Sequence, residues 1–115
     1  CIIGISSVAG DRGRSSNYIY GSAKAGFTAY LSGLRNEMYH HKVSVITVLP
    51  GFISSKMTAH LTLPKILTSS PDEVASQIYT SFKKKKSIVY IKWYWRWIML
   101  IIKLIPEFLF KKLKM

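Results

Sequence analysis

Acidic residues are scarce in this chain: five Asp and Glu stand against seventeen Lys and Arg, for a formal charge of +12 over 115 residues. Cysteine is scarcer still. Cys1 is the only one, which excludes an internal disulfide framework and fits a reducing compartment. No apolar run reaches the roughly 20 residues that a spanning helix needs. Internal repeats and low-complexity segments are absent. His40, His41 and His60 lack partners at metal-ligand spacing, so no metal site is expected. The chain also has no initiating Met and opens inside an apolar run, Cys1-Ile2-Ile3-Gly4-Ile5. That start suggests a segment of a longer protein, and no signal peptide is visible.

The excess positive charge is unevenly spread. Residues 83–115 hold ten bases and one acid, a net +9, which leaves +3 for the other 82 residues. A nearly neutral body thus precedes a strongly basic tail. Such a tail suits either nucleic acid or an anionic membrane surface.

Within the body, residues 2–6 read as a buried strand: short, apolar and β-branched, closed by a polar stretch. Ser7 follows at its carboxyl end, where open parallel sheets bind ligands. Residues 8–17 are loop by composition. A helix spans about 17–40, with Asn17 or Ser16 as its cap. One face of it is nearly flat, because Ser22, Ala25, Gly26, Ala29, Ser32 and Gly33 recur at helical spacing. Each of its three glycines costs about 1 kcal/mol against Ala, which argues for close approach to another backbone. Arg35, Glu37, His40 and His41 mark its solvated end. Residues 43–49 are the next strand, stopped by Pro50-Gly51. Strand, helix and strand make a βαβ unit, which predicts parallel, right-handed pairing.

Residues 52–69 form a long irregular segment, with a helical turn near 56–61, of the length expected for a binding loop. Ser70-Pro71-Asp72-Glu73 combines a Ser cap, a Pro at the first helical position and a Glu at the third. It starts a helix that runs to about Phe82 and is ended by the lysine run 83–86. A short strand at 87–91 closes the body.

Tyr20 and Lys24 stand four residues apart on the first helix, so both lie on one face, one turn apart. A free phenol titrates near pH 10. An ammonium beside it favours the phenolate, so Tyr20 becomes a usable general acid or base. Ser7, thirteen positions earlier, can hydrogen-bond a substrate carbonyl or hydroxyl. Tyr-x-x-x-Lys alone is a weak signal, since Tyr79 and Lys83 repeat it. No strand end or Ser stands thirteen residues before Tyr79, where Ile66 occurs, so Tyr79 is a helix-face aromatic.

Three stretches in this order and spacing closely resemble the short-chain dehydrogenase/reductase family: Ile5-Ser6-Ser7-Val8-Ala9-Gly10, Tyr20-Gly21-Ser22-Ala23-Lys24-Ala25, and Leu49-Pro50-Gly51 after a strand. The resemblance implies an α/β fold, the C-terminal half of a Rossmann-like doubly wound parallel sheet. It implies that Ser7 orients the substrate oxygen and Tyr20 is the catalytic acid/base. Lys24 would bind the nicotinamide ribose and tune Tyr20. Pro50, Gly51, Ile53 and Ser55 would line the nicotinamide, a Thr being more usual at Ser55. Tyr18 can touch substrate. The cofactor is NAD or NADP, and the resemblance places the Gly-rich phosphate turn and the residue that chooses between them upstream of Cys1. It also implies homo-oligomerisation through the 17–40 helix. Asp11-Arg12-Gly13-Arg14 and the run from Pro50 to Thr58 are similar to one branch, the bacterial decaprenyl-phosphoryl 2-keto-pentose reductases. These reduce a keto group on a lipid-linked sugar in cell-envelope polysaccharide synthesis.

Residues 92–115 form the tail. Of its charged positions, 92, 96, 103, 107, 111 and 114 fall on one side of a helix at about 100° per residue, and only Lys112 is out of place. Trp, Tyr, Ile, Leu and Phe occupy the rest, and Pro106 kinks or splits it. Segregated aromatic and basic faces argue against nucleic acid, which needs the two interleaved. They favour an interfacial helix with its apolar side in the membrane. The division is therefore a catalytic-fold body at 1–91 and an amphipathic tail at 92–115. The expected function is an NAD(P)(H)-dependent oxidoreductase that reduces a ketone or oxidises a secondary alcohol by hydride transfer, on a lipid-linked keto-sugar, peripheral on the cytoplasmic face of the membrane. The alternative is an inactive fragment of that fold, or a membrane-associated binding module that works through the tail.

Overall fold

Parallel strands require a crossover, and the small-residue helix supplies one. The computed structural model describes residues 1–54 and 64–113. Its elements are β1 (Ile2–Ile5), α1 (Tyr18–Tyr39), β2 (Val45–Leu49), β3 (Phe52–Ile53), β4 (Thr68–Ser69), α2 (Pro71–Lys83), β5 (Ile88–Tyr90), α3 (Tyr94–Leu104) and α4 (Glu107–Phe110). The main sheet runs β1-β2-β5 and is parallel throughout, with Ile5 opposite Val48 and Val48 opposite Val89. The parallel pairing is what the βαβ pattern predicts, and the α/β, Rossmann-like arrangement is the one the family resemblance implies. A second pair, β3 with β4, joins Phe52 to Thr68 and Ile53 to Ser69 within the segment read as irregular. The helical turn expected near 56–61 lies outside the described residues.

All five residues of β2 are buried, as befits the central strand. Side chains alternate across it. Ile46 and Val48 pack with Val74 of α2, Val89 and Ile91, backed by Ile53 and Ile78. On the opposite face Arg35 of α1 reaches Thr47 Oγ1 at 2.6 Å, the Val45 carbonyl at 2.9 Å and the Ser87 carbonyl at 2.9 Å. Arg35 therefore pins the helix across three stretches of chain instead of marking a solvated end. Helices on both faces make the sheet doubly wound.

The start of α2 follows its sequence signal. Ser70 Oγ accepts from the Glu73 amide at 3.2 Å, and the Glu73 carboxylate reaches back to the Ser70 amide. Asn17 occupies the cap position of α1, but its side chain makes no capping bond. β1 departs from its expected burial. Only Gly4 is buried, and Ile2, Ile3 and Ile5 are exposed. The strand lies at an edge, paired on one side only among the described residues. The three glycines of α1 also divide. Gly21 faces the Ala9 carbonyl, where an added Cβ would sit 2.7 Å away, but Gly26 and Gly33 face open space.

Pro106 splits the tail in two, and the tail does not stand apart from the body. Trp95 and Met99 are buried with Val8 and Leu49, against Phe52, Leu67 and Tyr90. Among the described residues no helix is long and apolar enough to cross a membrane.

Candidate active site

The site forms where β1 and β2 end side by side. The amide of Ser6 donates to the Val48 carbonyl at 2.8 Å, which continues the ladder one step beyond β1. The amide of Val8 donates to the Pro50 carbonyl at 3.1 Å. Ser7 and Pro50-Gly51, 43 positions apart in sequence, thus leave the sheet together at its carboxyl edge. A single 3-10 turn, Val8–Gly10, then carries the chain away.

Two glycines let that turn press against α1. A Cβ on Gly10 would lie 2.7 Å from the Ala25 amide nitrogen, and one on Gly21 would meet the Ala9 carbonyl. Ser6 adds a polar tie: its hydroxyl donates to the Lys24 carbonyl at 3.1 Å and stands 2.6 Å from the Thr28 hydroxyl. The helix turn that bears Lys24 is therefore held directly beside the strand end.

Ser7 is 6% exposed and extended, and its Oγ accepts the Ala9 amide at 3.1 Å. Accepting that bond leaves the hydroxyl proton free to be donated. The Lys24 ammonium donates to the Ile5 carbonyl at 3.2 Å and lies 5.7 Å from the centre of the Tyr20 ring. Tyr20 is half-exposed in the first turn of α1, and its hydroxyl makes no hydrogen bond among the described residues. Ser7 and Tyr20 are not bonded to each other. Ser7 sits at the strand end itself, and Tyr20 stands one helical turn before Lys24, which reaches that end.

The second Tyr/Lys pair is an internal control. Lys83 Nζ lies 5.6 Å from the Tyr79 ring, which is the same geometry within a tenth of an ångström. Helix spacing alone sets that distance. Tyr79 lies on an exposed face of α2, and among the described residues no strand-end carbonyl holds Lys83 as Ile5 holds Lys24.

The remaining candidates disperse. Tyr18 is exposed and lines an open cleft with Arg14, Ser15, Phe110 and Lys111. Ile53 sits in β3 with its side chain against the α2-side core. Ser55 and His60 lie outside the described residues. Gly51 meets the face of Trp95, whose ring occupies the space a Cβ would take.

Three residues to which the sequence assigned no role of their own, Arg12, Tyr90 and Trp95, pack next to the two strand ends. Arg12 Nη1 donates to the carbonyls of Ile102 at 2.7 Å and Ile105 at 2.6 Å, and Nη2 pairs with Glu107 at 2.8 Å. Its guanidinium also lies 3.8 Å from the centre of the Phe110 ring. Tyr90 donates to Asp11 Oδ2 at 2.6 Å. Burial, and then the carboxylate of Asp11, push the Tyr90 phenol well above its ordinary range. These contacts join positions 79 to 95 residues apart, and no local pattern announces them. Trp95 had one legible signal: a glycine at 51 that could admit a large ring.

Comparison with known proteins accords with this geometry. The chain is similar to an uncharacterized oxidoreductase of Mycobacterium tuberculosis, 35% identical over 97% of this chain and 45% of that protein. It is 37% identical to a 3-oxoacyl-[acyl-carrier-protein] reductase of Synechocystis over 67% of this chain and 34% of the relative. The backbone matches a short chain dehydrogenase of Burkholderia cenocepacia, solved in complex with NADP, at a TM-score of 0.80 and 23% identity, over 94% of this chain and 44% of that one. The chain spans less than half the length of the first curated relatives it matches. The short chain dehydrogenase family model matches residues 1–65, the stretch that carries Ser7, Tyr20, Lys24 and Pro50-Gly51, and by that match the chain belongs to the short chain dehydrogenase family.

Proposed function

We propose that this chain forms the proton-handling part of an NAD(P)(H)-dependent oxidoreductase that interconverts a ketone and a secondary alcohol. One observation carries the reading. Ser7, Lys24 and Pro50-Gly51 converge on the carboxyl ends of two adjacent parallel strands, with the Tyr20 phenol beside the Lys24 ammonium.

The donor set suits the nicotinamide-ribose end of a dinucleotide. Lys24 offers an ammonium to ribose hydroxyls, and the Ile5 carbonyl already orients it. No Gly-x-Gly stretch occurs in these 115 residues to cradle the phosphates. The residues present therefore fit one end of the cofactor, which when bound exchanges hydride with the substrate carbon. Ser7 donates a hydrogen bond from its hydroxyl to the substrate oxygen and orients it, keeping its proton. In reduction Tyr20 gives its proton to that oxygen, and in oxidation it takes the proton back. Lys24 holds positive charge beside the phenolate that results.

The motif around Asp11–Arg14 and the run after Pro50 support a keto-sugar on a lipid phosphate as substrate, handled at the cytoplasmic face of the membrane. The body is residues 1–91 and the tail is 92–115; Phe110, Lys111 and Leu113 of the tail line an open cleft with Tyr18. The open face of α1 around Gly26 and Gly33 supports pairing with a second copy through that helix.

The test is steady-state reduction of a lipid-linked 2-keto-pentose by the full-length protein. Tyr20→Phe is expected to lower kcat at least a thousandfold, while Tyr79→Phe leaves it within twofold. Equal activity of the two variants would refute the assignment.

A further inference from the structure

Packing the tail consumes only one of its apolar faces. At about 100° per residue, Trp95, Ile98, Met99 and Ile102 fill one sector of α3, which is the sector turned into the core. Trp93, Trp97, Leu100, Ile101 and Leu104 fall within a second arc of about 100° on the other side. That arc is open: Trp93 is 73% exposed, Trp97 56%, Ile101 65% and Leu104 72%, and Phe108 of α4 is exposed too. A contiguous apolar stripe of this kind is not left bare without a partner.

We infer that this outer stripe is a docking surface for an anionic phospholipid bilayer, with α3 lying in the plane of the interface. The inference deepens the reading of the tail as membrane-proximal and is independent of the chemistry at Tyr20. Charge selects the occupant. Lys103, Lys111 and Lys112 are exposed beside the stripe. The one acid of the segment, Glu107, is already paired to Arg12. A second copy seated here by two-fold symmetry would set lysines against lysines with no free acid in the segment to answer them. An anionic headgroup layer meets the same lysines favourably. The stripe is also mostly aliphatic beyond its two Trp residues, which suits acyl chains better than nucleobases. At 11 residues α3 is too short to span, so it lies flat.

The structure also corrects which side goes down. The sequence pattern offers every non-charged face to the lipid. The packing keeps Trp95 and Met99 for the core and leaves the opposite face, where Trp93 and Trp97 can settle at headgroup level. Because Arg12 clamps the tail to the loop after Ser7, docking would hold the cleft beside the bilayer.

Flotation of the full-length protein with vesicles of phosphatidylcholine alone, or with 30% phosphatidylglycerol, tests this. Binding is expected only to the anionic vesicles, falling roughly fivefold for each of Lys103, Lys111 and Lys112 changed to Gln. The triple variant W97Q/I101Q/L104Q is expected to lose at least tenfold in binding with an unchanged melting temperature, since these side chains lie outside the core. Tyr20→Phe must bind as wild type, so a failure of the catalytic reading leaves the result intact. Equal binding to neutral vesicles overturns the proposal. So does wild-type binding by the triple variant, or a triple variant that dissociates an oligomer in light scattering while still binding vesicles.

Discussion

Removing the Arg12 guanidinium should free the end of the tail while leaving its root in place. Arg12 is 13% exposed and donates to two carbonyls at the carboxyl end of α3, Ile102 and Ile105. Both lie at the end where the helix dipole is negative, and among the described residues the Ile102 carbonyl otherwise accepts only the long bond from the Ile105 amide at 3.3 Å. A hydrogen bond to a charged group contributes about 1.5–3 kcal/mol. The stacking on Phe110 adds about 0.5–2 kcal/mol. The pair with Glu107 adds little, because that carboxylate is 78% exposed. The terms are not additive, and both carbonyls regain water when the tail lifts. Arg12→Ala should therefore destabilise docking of residues 102–113 by about 2–4 kcal/mol.

Hydrogen exchange on the full-length protein reads this directly. Protection of the last turn of α3 and of α4 should fall by a factor of about 30 to 900. The first turns of α3, held by buried Trp95 and Met99, should change much less. Arg12→Lys should recover only part of the loss, since an ammonium lacks the planar fork that reaches two carbonyls and a carboxylate together. Protection that stays within threefold of wild type across residues 102–113 would refute the clamp.

Two further perturbations test the packing around the site. Gly51→Ala drives a methyl group into the Trp95 ring, an overpacking of about 1–3 kcal/mol in urea unfolding, and Trp95→Phe in the same chain should recover part of it. Additive losses would mean that the two residues do not meet. Tyr90→Phe removes the bond to Asp11 and should cost about 1–2 kcal/mol near neutral pH, less than a fully buried charged bond because Tyr90 is half-buried. Burial and the Asp11 carboxylate hold the folded phenol above its unfolded value near 10, so the folded state keeps a proton that the unfolded state loses. That contribution is complete below about pH 10 and falls as pH rises beyond it. Unfolding titrations from pH 8 to 11 should show a decline in wild type that Tyr90→Phe lacks; parallel curves would exclude the linkage.

The elements that sequence locates well are those whose determinants are local. Ser70 and Glu73 specify the start of α2 within four residues. β-branched runs mark β2 and β5, and a crossover of helical length makes them parallel. The Tyr20/Lys24 distance is likewise local, which is why Tyr79/Lys83 reproduces it without a strand end beside it. The meeting of Ser7 with Pro50 was legible only because both close strands that the βαβ unit sets side by side.

What the chain could not announce is everything decided by contacts across long separations. A polar loop residue such as Arg12 carries no mark of the carbonyls it will meet ninety positions on. The tail has apolar residues nearly all round α3, so periodicity offered two faces and could not choose between them. The choice fell to the complementarity of Trp95 with the bare backbone at Gly51, which only the folded sheet presents. β1 shows the converse case: an apolar run reads as buried, yet its burial depends on neighbours that a strand cannot specify by itself. Sequence by itself thus determined the parallel α/β frame and the spacing of Tyr20 and Lys24 on one helix face, because hydrogen-bonding and side-chain periodicity act over a few residues. The tertiary structure alone decided how the tail packs on the body, with Trp95 against Gly51 and Arg12 on the end of α3, because burial is shared between surfaces that come together only on folding.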